Sequence, residues 1–413
     1  MGHALGWLLS DVLLAGRVGL AIGMISGLVA APPAQTDADL TRHRYVLGTI
    51  GSGKSMWLVN MFLGGLQRNH VCVWVSTHGA ADVLRYVPEG VSVSYFHPFR
   101  GLGVNLLRQY KRTPLERAVL ASQCVTVFKR LFPDSMGESM IEHCHAGALA
   151  LLERGGEATL LDLYRMVADV DPPDTRNPIV AETLHSTEKR TRQASKRRLG
   201  RLLTSDILLR ALSATGSNAL DFSGLINPDK LSLPHAIIAD IDQGDIGREN
   251  ADLLAHVLTS QLEIALSARS GHETMVEVYL DECQTYAHDG LSEAIEEGRK
   301  RNVCWTFAHQ SREQMPRRLR AALELCGSQY FFTVRPEDSL YASRTINRQE
   351  WRRERFVSLP PRIYAAKELV RGKYRVRTAR TPTLRPLRPR PVWREPVVEV
   401  PAEIATDGVV RHA

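Results

Sequence analysis

The sequence predicts an α/β protein with a mainly parallel sheet, interrupted in mid-chain by an all-helical insertion. Three observations carry this. Short apolar runs rich in β-branched or aromatic residues stand at residues 45–47, 71–75 and 91–96, and again at 236–241, 276–281, 303–309 and 329–334. Helical stretches separate the runs, the first at residues 55–69, which is the order of βαβ units and therefore of parallel pairing. From about residue 113 to 212 no strand pattern is found, while residues 115–132, 137–153, 160–170 and 178–212 carry apolar side chains at helical spacing.

In chain order this gives an apolar N-terminal segment and linker (1–40), the first part of the α/β domain (41–112), the insertion (113–212), the second part (213–375) and a Pro/Arg-rich tail (376–413). Residues 12–31 hold one charge, Arg17, which is long enough for a bilayer span. Gly16, Gly19, Gly23 and Gly27 dilute that hydrophobicity, so a membrane helix, a partner-binding or buried helix and a signal all stay open. In the tail, Pro386, Pro389 and Pro391 alternate with Arg385, Arg388 and Arg390, a pattern that favours extended chain.

At 413 residues, 23% charged and 44% hydrophobic, the chain can bury a core; chain-wide disorder and a polytopic membrane protein are excluded. The net charge of +7 mildly favours an anionic partner. Six cysteines lie far apart with no C-x-x-C pair, which excludes a disulfide or zinc-ribbon framework and suits a reducing cytosol.

The most specific motif is Gly48-Thr49-Ile50-Gly51-Ser52-Gly53-Lys54-Ser55, a full G-x-x-x-x-G-K-[ST] between a strand and a helix. Gly48, Gly51, Ser52 and Gly53 let successive backbone N–H groups curl around phosphates at a helix N-terminus. Lys54 is expected to reach the β- and γ-phosphates of ATP, and the Ser55 hydroxyl to ligate Mg²⁺.

A second site is expected at the end of the run 276–281, where Asp281 and Glu282 reach the sheet edge that also carries the phosphate loop. Asp281 would belong to the Mg²⁺ shell and Glu282 would polarise the attacking water. Gln310, after the next strand, could touch the γ-phosphate and the water. Between them Arg299-Lys300-Arg301 closes a helix: either cations placed at a helix C-terminus, or an arginine finger for a neighbouring subunit.

The block LDECQTYAHDGLSEAIEEGRKRNVCWTFAHQ, Leu280 to Gln310, resembles the hydrolysis-site region of the HerA–FtsK superfamily, particularly the TraG/TraD-type conjugative coupling ATPases. Gly103-Val104-Asn105-Leu106-Leu107, Thr77-His78-Gly79 and residues 237–251 are also similar to that family, so the likeness covers residues 44–340. Cys283 stands where an aromatic residue is common, and no Asp precedes His78-Gly79. The resemblance implies a RecA-like P-loop NTPase, Gln310 as phosphate sensor and Arg299 as the finger acting in trans. It further implies a homo-hexameric ring that moves DNA in conjugative or mobile-element transfer, with a relaxase or secretion-channel proteins as partners. The implied location is the bacterial cytoplasm or, through residues 12–31, the cytoplasmic face of the inner membrane.

Lys189, Arg190, Arg192, Lys196, Arg197, Arg198 and Arg201 crowd one helical stretch of the insertion, either a phosphate-backbone contact or a solvated face. Two other functions fit the same motifs: an ATPase that exports or remodels protein, and a nucleotide-gated scaffold without turnover.

Overall fold

The computed structural model describes residues 35–388, apart from 100–101, 109–112, 169–174, 176, 229–232 and 289. The apolar stretch 12–31 and the tail beyond 388 therefore lie outside the described residues. Among the described residues no helix is long and apolar enough to cross a membrane.

Among the described residues nine strands form one sheet: β1 (Arg44–Leu47), β2 (Val71–Ser76), β3 (Ser92–Phe96), β4 (His235–Asp240), β5 (Val276–Asp281), β6 (Val303–His309), β7 (Ser328–Phe331), β8 (Ile363–Val370) and β9 (Lys373–Arg380). Their order is β3-β4-β2-β5-β6-β1-β7-β8-β9. The seven strands from β3 to β7 in that order run parallel, and β8 and β9 are antiparallel additions. Every residue of β1, β2, β4, β5 and β6 is buried, because helices cover both faces of a parallel sheet.

Strand alternation divides the core. Tyr45, Leu47, Val71, Val73 and Val75 face one side, where the insertion packs; Val46, Cys72 and Trp74 face the other, against Trp57 and Phe62 of α1 (Lys54–Gln67). Among the described residues the insertion holds six helices: α2 (Pro114–Leu131), α3 (Glu138–Arg154), α4 (Leu160–Ala168), α5 (Pro178–Ser186), α6 (Lys189–Leu203) and α7 (Asp206–Leu212). Thr113 and Glu116 form a capping box at the start of α2, with Pro114 as its first residue, and Phe128, Leu152, Leu163 and Leu199 join the core that reaches the sheet. The insertion thus shares its apolar core with the α/β half of the fold instead of standing off on a linker.

Three expectations need correction. The helical stretch 178–212 is three helices, not one: Thr187 is extended, with φ −61° and ψ 125°, and Ser205 likewise begins a new helix. The tail does not begin at 376, since β9 runs to Arg380 and Leu384 is buried beyond it. Strand β8 itself, IYAAKELV, gives no strand signal: Ala, Lys and Glu are weak β-formers, and its burial does not alternate. Pairing with β7 and β9 decides its conformation. The connecting Arg371-Gly372 turn has φ +51° and +73°, the sense that matches the twist of a hairpin.

Candidate functional site

Helix α1 begins at Gly53, whose φ of +104° turns the chain into the helix, and no side chain caps its first turn among the described residues. Its leading N–H groups are thus left facing the loop, with the positive end of the helix dipole behind them. Gly51 is also left-handed, at φ +72°. At Gly48 there is no room for a side chain: a Cβ would lie 2.7 Å from Phe332 Cβ and 2.8 Å from Ser52 Oγ. The Ser52 hydroxyl is buried and finds no partner among the described residues.

The loop is held from behind. Thr49 N–H donates to the Thr333 carbonyl at 2.7 Å, and Arg362 N–H, at the start of β8, donates to the Ser52 carbonyl at 2.7 Å. A Cβ on Gly53 would come within 3.0 Å of Arg362 Cα. None of this support is visible in the motif; a Phe-Phe-Thr run at 331–333 and a Pro-Pro-Arg run at 360–362 are the only marks it leaves in the sequence.

Lys54 is 4% exposed, and its Nζ donates to the Thr49 carbonyl at 3.1 Å while standing 3.9 Å from Glu282 Oε1. Burial lowers the Lys54 pKa, and the charges of Glu282 and Asp281 oppose that shift. Asp281 ends β5 and is pushed up to about 6, by burial first and then by the neighbouring Glu282 charge; a hydrogen bond from Ser55 and the charge of Lys54 pull the other way. Glu282 sits in the left-handed region at φ +51°, which turns its carboxylate back toward Lys54. Its Oε2 accepts from Gln310 Nε2 at 2.8 Å and from Gln284 Nε2 at 2.7 Å.

Gln310 is aimed by the residue before it. His309 is fully buried, and burial drops its pKa to about 3, so the ring is neutral. Its Nδ1–H donates to the Ser311 carbonyl at 3.0 Å, which leaves Nε2 to accept from the Tyr45 hydroxyl at 3.0 Å. Strand β6 lies between β1 and β5, so its end stands between the phosphate loop and the acidic pair.

Lys54, Ser55, Asp281, Glu282 and Gln310, separated by more than two hundred residues in the chain, therefore meet at one place. Ser55, Asp281, Glu282 and Gln310 border a cleft of about 440 Å³ that Ile50, Trp74, Val83 and Tyr86 continue on its apolar side, and Lys54 stands behind its wall against Glu282. Arg299 does not join them. It is exposed in the turn Gly298–Arg301, ahead of β6, and a seven-residue strand of roughly 20 Å separates that edge from the cleft.

The residues fit a magnesium nucleotide. An uncapped helix start, a glycine cradle, an orphaned buried hydroxyl and a buried lysine suit phosphate oxygens. A serine hydroxyl hydrogen-bonded to a carboxyl that lacks a full counter-charge supplies the hard oxygen donors that Mg²⁺ takes. Sequence reasoning missed Gln284 as a partner of Glu282, although the letter is plain, because a hydrogen bond within a 3₁₀ turn follows no periodic rule.

No protein-family model matches the chain, and no curated protein matches it in sequence. Solved structures do match. The unbound monoclinic form of the bacterial conjugative coupling protein TrwBdeltaN70 is similar at a TM-score of 0.63 and 13% identity, over 90% of this chain and 93% of that one. The plasmid coupling protein TrwB in complex with ADP and Mg²⁺ is similar at 0.61 and 15%, over 90% and 94%. VirB4 of Thermoanaerobacter pseudethanolicus is similar at 0.54 and 14%, over 78% and 86%. At these identities the likeness is one of fold, and the fold is the RecA-like α/β class expected from the sequence.

Proposed function

We propose that the chain hydrolyses ATP with Mg²⁺ and uses the energy as a ring motor that moves DNA in conjugative or mobile-element transfer. One observation carries the hydrolysis: Ser55, Asp281, Glu282 and Gln310 converge on one cleft, with Lys54 directly behind Glu282. The fold likeness to structures titled as coupling proteins, one of them with ADP and Mg²⁺, supports the setting.

In this reading the N–H groups of residues 51–55 and the Lys54 ammonium hold the β- and γ-phosphates, and Ser55 with Asp281 would hold the metal. Bound Mg²⁺ supplies charge neutralisation on the phosphate oxygens. Glu282, turned toward Lys54, accepts a proton from the attacking water, and Gln310 ties the position of that carboxylate to the end of β6. With a phosphate group present, Lys54 exchanges its contact with Glu282 for one with the substrate, which frees the base at the moment it is needed.

Arg299 enters as a group offered to a second copy, because its own cleft is at the opposite sheet edge. A homo-hexamer that stacks one copy's amino edge near the next copy's cleft would use it. Lys189, Arg190 and Arg197 are exposed on α6, whereas Arg201 is paired with Glu249 at 2.6 Å, so DNA phosphates would meet the helix ahead of its last turn. A relaxase or channel protein and an inner-membrane attachment through residues 12–31 belong to the same reading, with the catalytic part in the bacterial cytoplasm.

The deciding measurement is ATP turnover by the full chain, with and without DNA, at low and moderate salt. DNA stimulation that fades with salt is expected, and Glu282→Gln should bind ATP but turn it over at least about 100-fold more slowly. Turnover indifferent to DNA would favour export or remodelling of protein; tight ATP binding with no turnover in the unaltered chain would leave a scaffold.

A further inference from the structure

The Glu282 carboxylate is divided into two unlike oxygens. Oε2 accepts two amide N–H groups, from Gln284 at 2.7 Å and Gln310 at 2.8 Å, whereas Oε1 faces Lys54 at 3.9 Å with no other polar contact among the described residues. A carboxylate only accepts, so both amides must present nitrogen to it, and the assignment of N and O in each glutamine is fixed by that alone. The turn around Glu282 is pinned as well. Its N–H donates to Asp281 Oδ1 at 3.1 Å, and its carbonyl accepts the Thr285 N–H at 3.2 Å and the Thr285 hydroxyl at 3.0 Å. Glu282 is thus held in a left-handed conformation that a non-glycine residue seldom adopts, with its side chain aimed by a second residue of the same turn.

We infer that Gln284 is a positioning residue for hydrolysis: with Gln310 it saturates Oε2, so that Oε1 is the atom that takes the proton from water. This rests on the reading of Glu282 as the base. Two clamps on one oxygen matter because a glutamate on a two-residue turn has three rotatable side-chain bonds, and an ångström of drift at the base is worth about 100-fold in rate. Gln310 arrives from the end of β6 and Gln284 from the same turn as Glu282, so the carboxylate is fixed both to its own turn and to the neighbouring strand. The Gln284 Oε1 is buried and finds no partner among the described residues, which leaves an acceptor beside the base for the second hydrogen of the same water.

The test is steady-state ATP turnover of the full chain for Gln284→Met, which keeps the length of the side chain and removes both polar atoms, alone and combined with Glu282→Gln. The expected result is a kcat roughly 10- to 100-fold lower with KM within about twofold, and no further loss when the change is added to Glu282→Gln. A kcat equal to that of the unaltered chain, or a loss that multiplies with that of Glu282→Gln, would overturn the assignment. So would a rise in KM at constant kcat. Should Gln284→Met not fold, Gln284→Asn keeps an amide one methylene short and should show the same pattern with a smaller loss. If Glu282→Gln itself turns over normally, the reading of the site fails and not merely the role of Gln284.

Discussion

Strand β5 carries a buried carboxylate at each end, and the two live in opposite circumstances. Glu277, at the amino end, is fully buried and receives Arg44 at 2.7 Å, Arg68 at 2.6 Å, His70 at 2.8 Å and the Tyr279 hydroxyl at 2.7 Å. Burial raises its pKa, but Arg44, His70 and Arg68 outweigh burial and hold it well below the usual carboxylate range. Asp281, at the carboxyl end, has the Ser55 hydroxyl, the Glu282 N–H and a lysine it shares with Glu282, and it rises to about 6. Burial is common to both, so burial does not mark function. What separates them is completeness: Glu277 has every partner it can use inside the chain, and Asp281 is short of positive charge by about one cation.

Breaking the complete end should cost most. Glu277→Gln strips the counter-charge from buried Arg44, and equilibrium unfolding in denaturant should show a loss of roughly 3–5 kcal/mol at pH 7. A change below about 1 kcal/mol would mean that the cluster is not a closed one. The incomplete end should behave in the opposite way. Asp281→Asn is expected to abolish turnover yet stabilise the nucleotide-free chain by up to about 3 kcal/mol at pH 7, since the buried charge is removed.

The pH dependences have opposite signs. The folded-state pKa of Asp281 is above its ordinary 3.8, so ionising it costs stability as pH rises from about 4 through about 6. The advantage of Asp281→Asn should therefore be present at pH 7 and vanish below about pH 4. Glu277 is depressed, so its contribution is present above its ordinary 4.5 and is lost only in stronger acid. Melting temperatures of the two variants between pH 4 and 7.5 separate these cases, and equal pH profiles would end the contrast. The smallest effect belongs to Asp37, which touches His70 at 3.4 Å from a 57% exposed position. Asp37→Asn should cost less than about 1 kcal/mol in the same assay.

The contrast also tells which parts were legible in the sequence. The phosphate loop is local: eight consecutive letters specify glycine conformations, a lysine and a hydroxyl, and a strand and helix flank them. Asp281-Glu282 and Gln310 were legible because apolar runs of a parallel sheet end on one edge. Glu277 reads as an oddity inside an apolar strand, and nothing in its neighbourhood in the chain names Arg44 or Arg68 as partners. Strand β8 was illegible because its residues prefer other states and its place is set by pairing. Arg299 illustrates the converse: a motif resemblance assigns it a role, while the fold puts it at the far edge of its own sheet, away from the cleft.

The Ser52 carbonyl faces backward onto the N–H of Arg362, just ahead of β8, and that strand begins more than three hundred residues after the loop. A fragment ending before residue 360 would keep every letter of the nucleotide motif and lose the wall it leans on. Sequence scanners would score such a piece as intact, and a filter-binding assay would show whether it still grips a triphosphate. In this molecule the cradle is poured in a mould, and the mould is made more than three hundred residues after the cradle itself.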